Sequence, residues 1–422
     1  MHKLSTWAWV LSSNFSEGVP YTIVNTMLVA LLADMGAGNG EAALIPSLLS
    51  LPWIWKFLWA PIVDSYSTKR HWMICTQCLM AIALFTICLF LHLGLGITAV
   101  VVASAVIALA SATYDVACDG FYMIALPQEH QSFFVGIRST AYRLGMLFAS
   151  GFLLILAKDG TASDWTNAIA VSGITLIALA AMLGCFLLPH AEDASTAGKA
   201  SAPGSFRLME VLRTFLQLHH GRELIVMLLF IFTYRLGEAF LSKVTMLFLK
   251  ASPDAGGLGL NNEQYGYLYG TFGTLALVVG GILGGICISR WGLKRCIIHM
   301  ALALNVPDLL YVFLAQTGWT SPDSHLPFIG MCISIEQFGY GFGFTAYTVY
   351  LLQCAKGPYE TSHYAFLTAL MAFGLLLPSA ISGYVQIAMS SYTIYFSMAC
   401  ILTIPGFIMA LIVRKHSPSP TL

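Results

Sequence analysis

A chain of 422 residues with 58% hydrophobic and only 9% charged side chains is no soluble globule, because a soluble protein carries about 25% charged residues to cover its surface. Twenty basic and twenty acidic residues cancel, which leaves no basic face for nucleic acid and no acidic tail for cations. The composition is that of an integral membrane protein.

A helix needs about 20 residues to cross the hydrocarbon layer, and the hydropathy pattern predicts twelve spans: 5–33, 42–62, 72–93, 97–125, 132–157, 165–188, 222–249, 263–288, 293–316, 326–353, 362–388 and 391–413. The fold class expected is therefore an all-α membrane protein; the short alternating segments of a strand barrel are absent. The first span is too long and too interrupted by polar residues for a cleavable signal. The ten cysteines are scattered along the chain and nine lie in or beside apolar stretches, so no disulfide framework is expected. Cys75 and Cys78 form a CxxC without a second pair or a histidine cluster, which reads as helix packing rather than a metal site. No metal or cofactor is expected.

Outside the spans or at their ends, thirteen lysines and arginines fall on the side of the amino terminus and only Lys158 and Lys250 on the other. This bias predicts that both termini are cytoplasmic. The predicted domains are a six-helix bundle over 1–188, a flexible cytoplasmic linker over 189–221, a second six-helix bundle over 222–413 and a tail over 414–422. The two bundles carry traces of duplication. Asp64-Ser-Tyr-Ser-Thr-Lys69-Arg70 follows span two, and Gly285-Ile-Cys-Ile-Ser289-Arg290-Trp-Gly292-Leu-Lys294-Arg295 follows span eight. The basic pairs share one offset, 294 minus 69 and 295 minus 70, both 225. Gly18 with Thr26-Met27-Leu28 matches Gly237 with Thr245-Met246-Leu247 at an offset of 219. Paired repeats of this kind are a transporter architecture with the substrate site between them.

The loop at 285–295 resembles the signature loop of the major facilitator superfamily. The resemblance implies a gating role for Asp64, Lys69 and Arg70 and for the second copy's Arg290, Lys294 and Arg295; the bland alternative is that these charges only set topology. Four segments carry a narrower likeness: Lys56-Phe-Leu-Trp-Ala-Pro61-Ile-Val-Asp64, Ser111-Ala-Thr-Tyr-Asp115-Val-Ala-Cys-Asp119-Gly-Phe-Tyr-Met-Ile-Ala-Leu-Pro127, Tyr142-Arg143-Leu-Gly145, and Tyr234-Arg235-Leu-Gly237-Glu238. They resemble the AmpG-type muropeptide permeases, a branch that includes the acetyl-coenzyme A carriers. Tyr122 stands where that family usually carries a lysine. The resemblance implies proton-driven import of amino-sugar cell-wall fragments across a bacterial inner membrane.

Charges within spans cost at least about 2.5 to 3.5 kcal/mol each on insertion scales, so they should be paired or functional. Away from the span ends these are Glu17, Lys56, Asp115, Asp119, Arg138, Arg143, Arg235, Glu238, Lys243, Asp308 and Glu336. Asp115 and Asp119 share a helix face. At about 1.5 Å per residue, Asp115 and Arg143 lie roughly 15 and 16 Å from the cytoplasmic ends of their spans, while Asp119 and Arg138 each lie roughly 9 Å in. A hairpin of spans four and five would pair Asp115 with Arg143 and Asp119 with Arg138. Such pairs are either structural or proton-coupling, because a carboxylate whose arginine is drawn away by substrate takes up a proton. Asp115 and Asp119 lead the proton-carrier candidates, followed by Glu17 and Glu238.

Glu17 sits in a run with Asn14, Ser16, Gly18, Pro20 and Tyr21, expected to loosen the first helix beside a cavity. Glu336-Gln337 precedes Gly339, Gly341 and Gly343, which suit either a flexible polar wall or close helix packing. A glycopeptide needs aromatic faces, hydroxyl partners and arginines for carboxylates. Tyr21, Tyr114, Tyr142, Arg143, Tyr234, Arg235, Glu336, Gln337 and Tyr340 supply those groups as substrate-binding candidates. No GxSxG, HExxH or Walker motif is present, which argues against an enzyme or an energised pump. The expected function is a monomeric, proton-coupled, alternating-access importer of anhydromuropeptides. The alternatives are an importer of another oligosaccharide or amino sugar, or a non-transporting receptor on the same scaffold.

Overall fold

The structure is a computed structural model and describes residues 2–126, 128–188, 212–219, 221–319, 323–355 and 360–416. The predicted linker and tail fall largely on 189–211 and 417–422, outside the described residues. The described residues form helices and no strands, and twelve helical stretches follow the hydropathy pattern. They are α1 (Thr6–Asp34), α2 (39–65), α3 (Lys69–Leu93), α4 (Gly96–Ala125), α5 (128–156), α6 (Ala162–Leu187), α7 (Arg222–Lys250), α8 (Asn262–Trp291), α9 (Leu293–Gln316), α10 (Leu326–Cys354), α11 (Glu360–Met389) and α12 (Tyr392–Lys415). All but α2 and α10 are long and apolar enough to cross a membrane, counting the Ile137–Leu156 part of α5 and the Phe366–Met389 part of α11.

The two others depart for chemical reasons. α2 is broken into Asn39–Leu49, Leu51–Trp55, Lys56–Leu58 and Ala60–Ser65, because Pro52 and Pro61 each lack the donor that a continuous helix needs. α10 runs unbroken for 29 residues but carries Glu336 and Gln337. Its glycines serve packing on both sides. A Cβ on Gly339 or Gly343 would strike the Ala303 or Met300 carbonyl of α9, and one on Gly341 would strike the Leu277 carbonyl of α8. Between helices in lipid, small residues are what allow such close approach.

The chain divides into two compact units. One comprises Met1–Gly38, Ile45–Ser201 and Asn261–Gly270, and the other Asn39–Leu44, Ala202–Leu260 and Thr271–Leu422. In the first unit α1 packs against both α4 and α5. Gly18 lies under the Tyr142 carbonyl and Gly145 under the Phe15 carbonyl, so neither position has room for a Cβ. On the α4 side, Trp9 meets Phe121 edge-on at 5.2 Å and Tyr114 Oη donates to the Ser13 carbonyl at 3.0 Å. The first helix stays α-helical through Gly18 and Pro20 and widens to a π turn over Ile23–Met27. The loosening therefore begins one turn later than the sequence suggests, after the proline has removed a donor. Cys75 and Cys78 are exposed on α3, so they face outward instead of packing within the chain.

Candidate functional site

The break in α2 puts Lys56 beside α4, and its ammonium pairs with Asp115. Asp119, one turn further along α4, pairs with Arg138 of α5. Arg138 also donates from Nε to Asn14 Oδ1 of α1 at 2.9 Å, and its guanidinium lies over the Tyr122 ring, 4.4 Å from the centroid. One arginine thus ties three helices together. Tyr122 gives Arg138 a π face where a second cation would repel it.

The expected Asp115–Arg143 pair is corrected: Asp115 is held by Lys56. The depth estimate treated α4 and α5 as a simple hairpin. In the structure α1 packs along α5 through the glycine contact at Gly18 and Gly145, which sets the face that α5 turns to its neighbours. A cation from α2 reaches Asp115 first. The signal was present in Lys56, an in-span charge that otherwise lacked a counter-ion.

Asn14, Glu17, Arg138, Ser139 and Tyr142 line a cavity of about 240 Å³ in the first unit. Glu17 lies within electrostatic reach of Asp119, Arg138 and Lys56, so the Glu17 and Arg138 of the cavity wall share one field with the Asp119 and Lys56 behind it. The side chain of Asp119 is 37% exposed and that of Arg138 20%, whereas Asp115 is buried. Of the two carboxylates on α4, Asp119 is the one a solute can approach. Tyr21 stands edge-on to Trp53 at 5.1 Å and 6.0 Å from Tyr142, an aromatic wall beside the cavity. Asn14, Ser139 and Tyr122 were not among the site residues expected from sequence. Asn14 was visible as a polar residue in the first span, but Ser139 and Tyr122 gained significance only through the placement of Arg138.

The second unit holds a separate polar cluster. α7 breaks between Arg222–Thr233 and Leu236–Lys250. At the break Arg235 grips Glu238 with two bonds of 2.7 Å and donates to Tyr340 Oη at 2.9 Å. Its guanidinium lies 4.7 Å from the Phe344 centroid. Glu336 accepts from Tyr311 Oη at 3.0 Å and from Gln337 Nε2 at 2.9 Å. Glu336 and Gln337 are both buried and engaged with each other. Tyr114 and Tyr234 are fully buried and lend their hydroxyls to the Ser13 and Gly343 carbonyls. Both act in packing here, and neither presents surface to a solute.

Among the basic loop residues, Lys69 is buried, donates to the Val63 carbonyl at 3.0 Å and runs beneath Gly120 of α4. Arg70 reaches the Gly184 carbonyl of α6. The side chain of Asp64 lies outside those described. In the second copy Arg290 and Arg295 are exposed, and Arg295 borders a largely apolar cavity of about 280 Å³ with Trp291, His299 and Phe342.

The sequence profile described as Major Facilitator Superfamily matches residues 10–357. The chain is 28% identical to the anhydromuropeptide permease of Escherichia coli strain K12, over 97% of this chain and 79% of that protein. It is 24% identical to a Rickettsia conorii protein that bears the AmpG designation, over 84% of this chain and 83% of that one. Its fold is similar to that of a D-xylose-proton symporter, with a TM-score of 0.71 at 12% identity over 99% of this chain and 98% of the other. It is equally similar to a POT peptide transporter, with a TM-score of 0.72 at 11% identity over 97% and 94%.

Proposed function

The chain belongs to the Major Facilitator Superfamily, and from that premise we propose that it imports anhydromuropeptides, amino-sugar fragments of the cell wall, from periplasm to cytoplasm in symport with protons. In this reading it works by alternating access as a monomer in a bacterial inner membrane, with both termini cytoplasmic. The likeness to the Escherichia coli permease supports the substrate class, and the basic bias of one set of loops supports the orientation. The observation that carries the coupling is the Asp119–Arg138–Asn14 junction at the wall of a cavity that also holds Glu17.

The chemistry follows from charge balance. Arg138 spends Nε on Asn14 and Nη2 on Asp119, and a guanidinium has five donors in a fixed fork. A peptide-bearing substrate brings carboxylates that bind such a fork better than a neutral sugar does. As Arg138 turns to the substrate, Asp119 loses its counter-ion beside the anionic Glu17, and uptake of one proton by the pair restores the charge balance. Substrate and proton then occupy the cavity together. Asp115, held by Lys56 and buried, supports the same face of α4, and Glu17 is the neighbouring acceptor to which the proton passes.

The test is uptake of labelled anhydromuropeptide, with and without its peptide, into proteoliposomes under an imposed proton gradient, beside chitobiose and free amino sugars. Gradient-dependent accumulation is expected, with Asp119→Asn and Arg138→Gln each reducing it at least about tenfold, the factor given by 1.4 kcal/mol. Accumulation of another sugar alone would move the substrate. Accumulation that survives collapse of the proton gradient would overturn the coupling.

A further inference from the structure

Pro307 interrupts α9. The helix runs as Leu293–Asn305, tightens to a 3-10 turn over Val306–Asp308, and resumes at Leu309–Gln316. Asn305 closes the first segment and Asp308 closes the turn, and residues three apart along a helix are neighbours on one face. Both are buried, at 4% and 2% exposure.

Each presents an orphaned acceptor. Asn305 donates from Nδ2 to the Ala301 carbonyl at 2.8 Å, which fixes the amide and leaves Oδ1 without a donor. Asp308 Oδ2 likewise has no hydrogen-bond partner. Two buried acceptors three residues apart, each short of a donor, carry a desolvation penalty that native structures seldom leave unmet.

The surroundings make an anion at Asp308 worse. Glu336 of α10 and Glu238 of α7 are the charged groups that act on it, and Cys400 faces it from α12. Tyr311, one turn away on its own helix, gives its hydroxyl to Glu336 at 3.0 Å, and Gln337 adds a second donor at 2.9 Å. Glu336 is therefore the carboxyl group of the two to which protein donors are directed. Arg235, the cation of this cluster, has two nitrogens on Glu238 and one of them also on Tyr340. Of two neighbouring carboxyl groups in apolar surroundings, one ionises and the other keeps its proton, and the donor pattern decides which.

We propose that Asp308 and Asn305 form a proton-binding site in the second unit, in which Asp308 is a carboxylic acid whose Oδ2–H donates to Asn305 Oδ1 opposite an ionised Glu336. A single proton satisfies both orphaned oxygens and removes the second negative charge. The site is distinct from the carboxylates of α4 and does not depend on what the protein transports.

Difference infrared spectroscopy of the full chain in lipid, in H₂O and D₂O, tests this without any transport assay. The wild type is expected to show the carbonyl stretch of a buried carboxylic acid at neutral pH. Asp308→Asn removes that band, Glu336→Gln retains it, and Asn305→Ala retains it but moves it to higher frequency as its hydrogen bond is lost. Absence of the band, its survival in Asp308→Asn, or its loss in Glu336→Gln overturns the assignment. Should Asp308→Asn fail to fold, the other two variants still decide: a band that does not move in Asn305→Ala places the proton elsewhere.

Discussion

The Lys56–Asp115 pair shows how one residue can be legible in kind and wrong in partner. Asp115 had to be compensated, since an isolated carboxylate within a span is costly, but depth matched it to Arg143 and left Lys56 without an assigned partner. Breaking a buried pair costs about 3–5 kcal/mol. With the Lys56 side chain 32% exposed, water softens the loss, so Lys56→Met is expected to destabilise the chain by about 2 kcal/mol. Lys56→Met combined with Asp115→Asn should recover to within about 1 kcal/mol of the wild type, because the anion is removed with its partner. Thermal unfolding of the four proteins of this cycle gives the coupling directly. A second cycle, Arg143→Met with Asp115→Asn, should be additive. Coupling in the Arg143 cycle and none in the Lys56 cycle would restore the pairing expected from sequence.

At the scale of elements, the repeat seen in sequence recurs in backbone geometry. Ser67, before α3, has φ 67°, and Gly292, before α9, has φ 76°. Their numbers differ by 292 minus 67, which is 225, the offset of the basic pairs that follow them. Both loops pass through a residue of positive φ, but only the second supplies a glycine, and at ψ 151° Gly292 lies in a region that only glycine adopts. An L residue held at positive φ costs about 1–2 kcal/mol. Ser67→Gly should therefore raise stability by about 0.5–1 kcal/mol, the relief being partly offset by the freer unfolded chain, and Gly292→Ala should lower it by about 1–3 kcal/mol. Unfolding midpoints of the two variants measure this, and opposite signs at the two positions are the signature of a shared turn. A loss in Ser67→Gly would mean that the serine side chain repays its strain.

The helices themselves were legible because hydropathy over about 20 residues is a strong, local signal. The departures arise where a span carries function or proline. α2 reads as one segment, yet Pro52 and Pro61 cut it into pieces, and that fracture delivers Lys56 to α4. The glycines of α10 read equally as flexibility or packing; only the Ala303, Met300 and Leu277 carbonyls against them decide for packing. Arg138 was placed with Asp119 by depth alone, whereas its bond to Asn14 depends on α1 lying against α5, which no local pattern encodes. Tertiary contacts of that kind are where reading from one sequence stops.

For the whole molecule, the mechanism turns on which side of the membrane the site opens to, and this rests on the distribution of charge. Thirteen basic residues against two is a bias carried by many loops, so no single residue should control it. A fluorescent reporter that matures only in the cytoplasm, fused after Leu422, is expected to be bright. An alkaline phosphatase inserted in the turn at Asp159–Gly160, beside the outer Lys158, is expected to be active in the periplasm. Neutralising Lys69 alone should leave both signals unchanged, since twelve basic residues still oppose two. Dark and inactive reporters together would reverse the orientation. The cavity at Glu17 and Arg138 would then reach its solutes from the opposite compartment, and the proton gradient that drives import in the proposed cycle would drive export through the same residues.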